Sequence, residues 1–129
     1  MASGLPAATG DVLTAATVNG LVAFTVNADA TTDYTAVLND QYQVLQPMNK
    51  ATAIAFKIPT NASVAFPVGT AITILNKGAG TVTISAVTSG TTTVLSAGAV
   101  AASPTLAQYK TAVCIKTATD TWYVAGGIA

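Results

Sequence analysis

The chain has no histidine, no arginine and no glutamate, and its only charged side chains are five aspartates and five lysines. Charged residues make up 8% of the 129 positions, whereas ordinary soluble domains carry about 25%. Acid–base catalysis and Ser/His or Cys/His nucleophiles need titratable groups placed as a set. The sequence therefore predicts that the protein is not an enzyme, and that it holds no cofactor and no metal.

Cysteine is almost absent as well, because Cys114 is the only one. A single cysteine excludes an intrachain disulfide and a structural zinc site. Its neighbours Ala112, Val113 and Ile115 form an apolar run, whereas a reactive thiol needs an electropositive neighbourhood and usually a partner base. We expect a buried, unreactive thiol rather than a nucleophile.

The scarce charge also bears on partners. The five lysines are spread singly (Lys50, Lys57, Lys77, Lys110 and Lys116), which is not the clustered basic patch that nucleic-acid binding requires. We interpret them as charges at strand ends and rims that keep sheet edges soluble. No run approaches the roughly 18 apolar residues of a membrane span, and the first residues lack the basic and apolar regions of a secretory signal. Neither nucleic acid nor membrane is expected as a partner.

A net charge of zero on so few charged groups leaves a lone monomer poorly protected from association. We infer that other copies of the chain cover much of the surface, so that the first predicted partner is the protein itself.

The length favours a single domain, with a small N-terminal arm at residues 1–20 and a β domain at residues 21–129. The arm is punctuated by glycines and reads as irregular. A short helix over residues 11–19 is the alternative, with Asp11 as its N-cap and Gly20 after its last turn.

From Leu21 onward, apolar residues recur at every second position, which is typical of strands. Ile72 and Ile74 lie in a run that is apolar on both faces, which predicts a central strand. Strands at this spacing, with turn residues between them, predict an all-β fold. We expect an antiparallel sandwich or small barrel of about nine short strands, jelly-roll-like, after the irregular arm.

Four connections can be predicted. Residues 76–80 should close a hairpin whose glycines supply positive φ. A second hairpin should pair Val113 and Ile115 with Trp122 and Val124. Pro59 and Pro67 should bracket a bend or edge segment. Residues 97–108 are small and low in complexity, and read as a long loop or an arm that lies on a neighbour.

Two groups of residues each leave two interpretations. Asn27, Asp29 and Asp33 slightly resemble a calcium loop, but the loop glycine and the closing glutamate are missing, so a solvated turn is favoured. Trp122, next to Tyr123, is either part of a sugar platform or a core residue, and its place in an alternating strand favours the core.

One long pattern goes further. The segment Asp33–Ala86 contains IPTNASVAFPVGTAITILNKGAG, and the chain ends with Thr119-Asp-Thr-Trp122 followed by Gly126. Together these resemble a module found in virion proteins of tailed bacteriophages. The resemblance implies a β-rich, homotrimeric virion component, either a capsid decoration (cement) protein or a head-fibre or tail-fibre module. It supplies no catalytic residues.

Because fibres are generally long and multi-domain, we favour a decoration protein. Such a protein is made in the host cytoplasm, binds the outside of the head as an oligomer, contacts the major capsid protein and stabilises the shell. The predicted anchors of its arm are apolar: Leu5, Pro6, Val12, Leu13, Val18 and Leu21. The alternative is a head-fibre or tail-fibre module that binds host surface glycan. A phage-derived enzyme fragment is a third hypothesis, with no support in the residues.

Overall fold

The computed structural model describes residues 23–96 and 103–128. These residues form ten short strands and one 3-10 turn, Leu38–Gln41. The strands are β1 Thr25–Val26, β2 Tyr34–Thr35, β3 Val44–Met48, β4 Ile54–Ile58, β5 Ala71–Asn76, β6 Val82–Ala86, β7 Thr93–Ser96, β8 Thr105–Leu106, β9 Thr111–Ala118 and β10 Thr121–Gly126.

Two sheets contain all ten strands. The six-stranded sheet has the order β1-β3-β5-β9-β10-β7, and the four-stranded sheet has the order β2-β4-β6-β8. The inner faces of both sheets contribute to one hydrophobic core. The predicted all-β class and sandwich architecture are confirmed. The predicted central position of the strand that contains Ile72 and Ile74 is also confirmed, since β5 pairs on both sides.

The strand pairing differs from the antiparallel pattern that the sequence predicted. The first nine strands alternate between the two sheets, and up to β6 every second strand returns to the same sheet in the same direction. As a result β1, β3 and β5 pair in parallel, and so do β2, β4 and β6. Antiparallel pairing is confined to β9 with β5, β9 with β10 and β6 with β8. The sandwich is therefore mixed.

The predicted hairpin at residues 76–80 is wrong, because this link carries the chain from β5 in one sheet to β6 in the other. Its glycines do not adopt positive φ, which among the described glycines occurs at Gly69 and Gly126. They are required for close approach instead. A Cβ on Gly78 would overlap the backbone of Lys50, and a Cβ on Gly80 would overlap the carbonyl of Thr52. The 76–80 link thus lies directly against the link that precedes β4, and the Gly80 N–H donates to the Lys50 carbonyl at 2.9 Å.

The second predicted hairpin, β9–β10, is confirmed, but its register is shifted by one residue. Val113 and Ile115 lie opposite Ala125 and Tyr123, whereas Trp122 and Val124 lie opposite Lys116 and Cys114. The observed pairing places the two buried residues of β10 opposite buried residues of β9. Residues 112, 114 and 116 are buried, and Val113 and Ile115 are on the outer face.

The core is built by alternation in both sheets. Ile54, Phe56 and Ile58 of β4 point inward from the four-stranded sheet, and Ile72 and Ile74 of β5 meet them from the other. Burying each such side chain contributes about 1.5–3 kcal/mol.

The remaining two predicted connections have different outcomes. Between Pro59 and Pro67 there is no strand, only turns, as predicted. Residues 97–102 lie outside the described residues. The end of that predicted loop, however, forms β8, whose Leu106 is fully buried. This portion belongs to the protein's own sandwich because Leu106 fills the core between β6 and the chain end.

Candidate interaction surface

The acidic residues of the first loops do not converge. Asp29 forms an ion pair with Lys77 (2.8 Å), and its hydrogen bond from Lys77 lowers the pKa of this carboxyl. Asp33 accepts the Ala55 N–H at 2.9 Å. Asn27 donates elsewhere, to Asp40. Asn27, Asp29 and Asp33 thus have separate partners within the fold, and across residues 23–96 and 103–128 no three His, Cys, Asp or Glu side chains are grouped as a metal site requires.

Asp40 is a buried carboxylate, held by three donors. Its Oδ2 accepts the Tyr34 hydroxyl at 2.7 Å and the Val37 N–H at 3.0 Å, while its Oδ1 accepts the Asn27 amide at 3.1 Å. Burial, together with the hydrogen bond to Asp40, raises the pKa of Tyr34. Charge-assisted hydrogen bonds of this kind are the stronger ones. The cluster therefore ties the 3-10 turn to β1 and β2.

Lys116 is not the rim charge that the sequence predicted, because its side chain is only 2% exposed. Its ammonium donates to Asn61 Oδ1 at 2.5 Å and to the Phe66 carbonyl at 2.8 Å. Asp120 completes the arrangement by accepting the Asn61 N–H at 2.7 Å and the Thr92 hydroxyl at 3.2 Å. These contacts hold residues 59–70 against the sandwich. The signal was present in the sequence, since Lys116 alternates in phase with the apolar Ala112 and Cys114.

Cys114 and Trp122 both lie in the core. Cys114 is fully buried, and burial raises the pKa of its thiol to about 12, which confirms the predicted buried thiol. Trp122 is 2% exposed and packs edge-on against Phe66, with ring centroids 5.5 Å apart. The core interpretation of Trp122 is confirmed, and the alternative of a sugar platform built on it is wrong.

The two outer faces of the sandwich differ in chemistry. The outer face of the four-stranded sheet carries small or polar residues and one lysine: Thr35, Ala55, Lys57, Thr83, Ser85 and Thr105. The outer face of the six-stranded sheet carries seven large apolar side chains, which we call the apolar face: Val26, Leu45, Leu75, Leu95, Val113, Ile115 and Tyr123.

The register places the apolar face in two rows that run across the strands, with Leu75 beside them between Pro47 and Thr111. One row is Val26, Leu45, Thr73, Val113 and Ala125, from β1 to β10. The other is Ala71, Ile115, Tyr123 and Leu95, from β5 to β7. Ile115 and Tyr123 are 39% and 49% exposed. Among the described residues no charged side chain belongs to either row.

The sequence did not predict this face because both sets of alternate residues in β5, β9 and β10 are apolar. Alternation therefore identified the strands without showing which face is covered. The apolar character of both faces of these strands was the one sequence feature that indicated the apolar face, since a strand of a two-layer sandwich needs only one apolar face.

A shallow groove of about 250 Å³ lies beside the 59–70 segment. Tyr42 and Gln41 line one side, and residues 67–70 line the other. Val68 and Tyr42 are exposed there, and the lining side chains include no charged group.

The predicted anchors of the arm (Leu5, Pro6, Val12, Leu13, Val18 and Leu21) lie outside the described residues, as does the possible helix over residues 11–19. Their assignment stays a prediction. None of the helical segments in the described residues has the length and apolar character that crossing a bilayer requires. Comparison with protein-family models, with curated proteins and with solved structures finds no match.

Proposed function

We propose that the chain is a structural component of a tailed-phage virion, a capsid decoration protein that binds the outside of the head as an oligomer and stabilises the shell. The proposal is supported by the phage-like pattern of Asp33–Ala86 and Thr119–Trp122 in the sequence. The observation that carries the oligomeric part of the proposal is the apolar face, because a large uncharged face on a folded sandwich is suited to packing against another protein.

In this function the protein acts by burying apolar surface against other proteins, and it catalyses no reaction. Removing apolar surface from water contributes roughly 25 cal/mol per Å² before the costs of association. Copies that are joined to each other attach to the head through several modest contacts at once, and linked contacts increase the total affinity. The head is stabilised because each oligomer bridges neighbouring capsid subunits.

Co-sedimentation with heads that lack the protein tests the proposal. We expect the purified full-length chain to pellet with the heads to saturation, and the decorated heads to survive heating at which bare heads release their DNA. A chain that stays in the supernatant at every concentration would refute the decoration function.

The arm prediction is tested in the same assay. Replacing Val12 and Leu13 by Asp should weaken head binding at least tenfold and leave the thermal unfolding of the β domain unchanged. The matched control replaces Thr14 and Thr17 by Asp, which adds the same charge beside the predicted anchors. Equal binding by the two variants would show that the arm does not contact the head.

A further inference from the structure

We propose that the apolar face is the surface through which copies of this chain bind one another. This deepens the proposed function, and it rests on that function only for the claim that the protein works as an oligomer.

The chemistry of the face favours another copy over a partner recognised by charge. Its two rows contain Val, Leu, Ile, Tyr, Thr and Ala and no charged side chain among the described residues. A partner with a charged surface would find no complementary group there, and its own charges would lose water without compensation. A second copy brings a face as uncharged as the first, so no charge is stripped of water when the two meet.

The size of the face meets what a specific contact needs. The six strands average about five residues, and with strands about 4.8 Å apart and about 3.3 Å per residue they cover roughly 500 Å² in plan. Two copies together therefore remove about 1,000 Å² from water, which is the lower limit for a specific interface. A sheet face also packs well on another sheet face, with the two layers about 10 Å apart.

The opposite side of the sandwich supplies the contrast. Thr83, Ser85 and Thr105 cover the four-stranded sheet together with Lys57, and a surface of hydroxyls and an ammonium remains well hydrated. The copies are thus expected to meet through one side of the sandwich, and the hydroxyl-covered side is left for solvent or for the capsid.

The first experiment measures mass in solution by sedimentation at about 100 µM for the full-length chain, Ile115→Lys, Tyr123→Lys and the control Thr83→Lys. Ile115 and Tyr123 are 39% and 49% exposed, so lysine is compatible with the fold at both. We expect the wild type and Thr83→Lys to sediment as a multiple of 12.8 kDa. Each variant on the apolar face should dissociate, with an apparent dissociation constant raised at least tenfold. A monomeric wild type, or an oligomer retained by both apolar-face variants, overturns the inference.

The second experiment does not depend on how the lysine variants fold. Ile115→Cys and Thr83→Cys are treated with a thiol reagent over a range of protein concentrations, and Cys114 remains protected by its burial. We expect the thiol introduced at position 115 to react slowly at high protein concentration and at least tenfold faster after dilution. The thiol introduced at position 83 should react at the same rate at every protein concentration. Protection at position 115 that does not depend on concentration would assign the face to another segment of the same chain and overturn the inference.

The two proposals fail in different ways. An oligomer that assembles through the apolar face but does not bind heads would refute the decoration function alone. A chain that binds heads while remaining a monomer would refute the present inference and the oligomeric state, and would leave the decoration function standing.

Discussion

Gly80 has to be a glycine because two loops approach each other closely at this position, although its sequence context suggests a glycine in a turn. The residue does not have positive φ, and its missing side chain makes room for the backbone of Thr52. Gly90 is different because open space surrounds it and its φ is not in the left-handed region. Neither position needs a backbone conformation that favours glycine. Substituting alanine at the two positions therefore measures the effect of the surrounding space alone.

We predict that Gly80→Ala lowers the free energy of unfolding by about 3 kcal/mol or prevents folding, because backbone atoms on both sides have to move to admit a methyl group. Gly90→Ala should change it by less than about 0.5 kcal/mol. Urea denaturation of both variants checks this, and a Gly80→Ala protein as stable as the wild type would show that the two loops are not in contact.

Cys114 gives a prediction about pH. Burial raises the pKa of the folded thiol from 9.0 to about 12, so the folded state keeps the neutral thiol while the unfolded state ionises. The stabilising effect is complete below about pH 9 and is lost as the pH rises from 9 towards 12, by up to about 1.4 kcal/mol per pH unit.

Cys114→Ala should therefore show a shallower loss of stability between pH 9 and 10 than the wild type, with the contribution of Tyr34 common to both. Denaturation at several pH values measures the two slopes. Identical slopes would mean that the thiol is accessible in the folded protein, and the thiol reagent would then modify Cys114 without denaturant.

At the scale of elements, the segment between β4 and β5 depends on a side chain from β9. The Lys116 ammonium reaches Asn61 and the Phe66 carbonyl, and the backbone of Lys116 exchanges hydrogen bonds with Gly69 and Thr70. A segment with two prolines and no strand of its own is thereby fixed over the edge of the core.

We predict that Lys116→Met lowers the free energy of unfolding by about 1–3 kcal/mol, because two oxygens lose their donor in a site with little access to water. Lys57→Met is the matched control, since Lys57 lies on the outer face of the four-stranded sheet. It should change stability by less than about 0.5 kcal/mol. Equal effects in thermal unfolding would refute the role given to Lys116.

The elements also show what the sequence could and could not predict. Ile54, Phe56 and Ile58 alternate so clearly that their strand and its buried face followed directly. The link at residues 76–80 did not, because Asn-Lys-Gly-Ala-Gly suits both a hairpin and a crossing between sheets, and only the neighbouring loop decides between them. The one-residue shift in the β9–β10 register was hidden for a similar reason, since Val113 and Cys114 are both apolar and each could face the core.

The candidate surface was even less predictable. The low charge of the whole chain suggested self-association, but the fraction of charged residues does not show which part of the surface lacks charge. Only the register brings Leu45, Val113 and Ile115 to one side, with the hydroxyl-rich residues on the other. The location of a surface is a property of strand order, and the local sequence pattern carries little information about strand order.

At the scale of the whole molecule, the placement of the acidic groups and of the apolar face is suited to binding other proteins. The described acidic groups are used within the fold: Asp29 in an ion pair, Asp33 as an acceptor of a backbone N–H, and Asp40 and Asp120 in hydrogen-bond networks. The outer face of the six-stranded sheet carries the apolar face, where Val26, Ile115 and Tyr123 are exposed. This division supports the proposal that the protein packs onto other proteins in a virion, as copies joined through the apolar face.

The location of the protein in the virion can be measured by electron microscopy of purified virions labelled with a gold-conjugated antibody against this chain. We expect label at many regularly spaced positions over the outside of the head, and none at the tail tip. Label confined to the tail tip or to fibres, or virions that carry no label at all, would contradict this expectation.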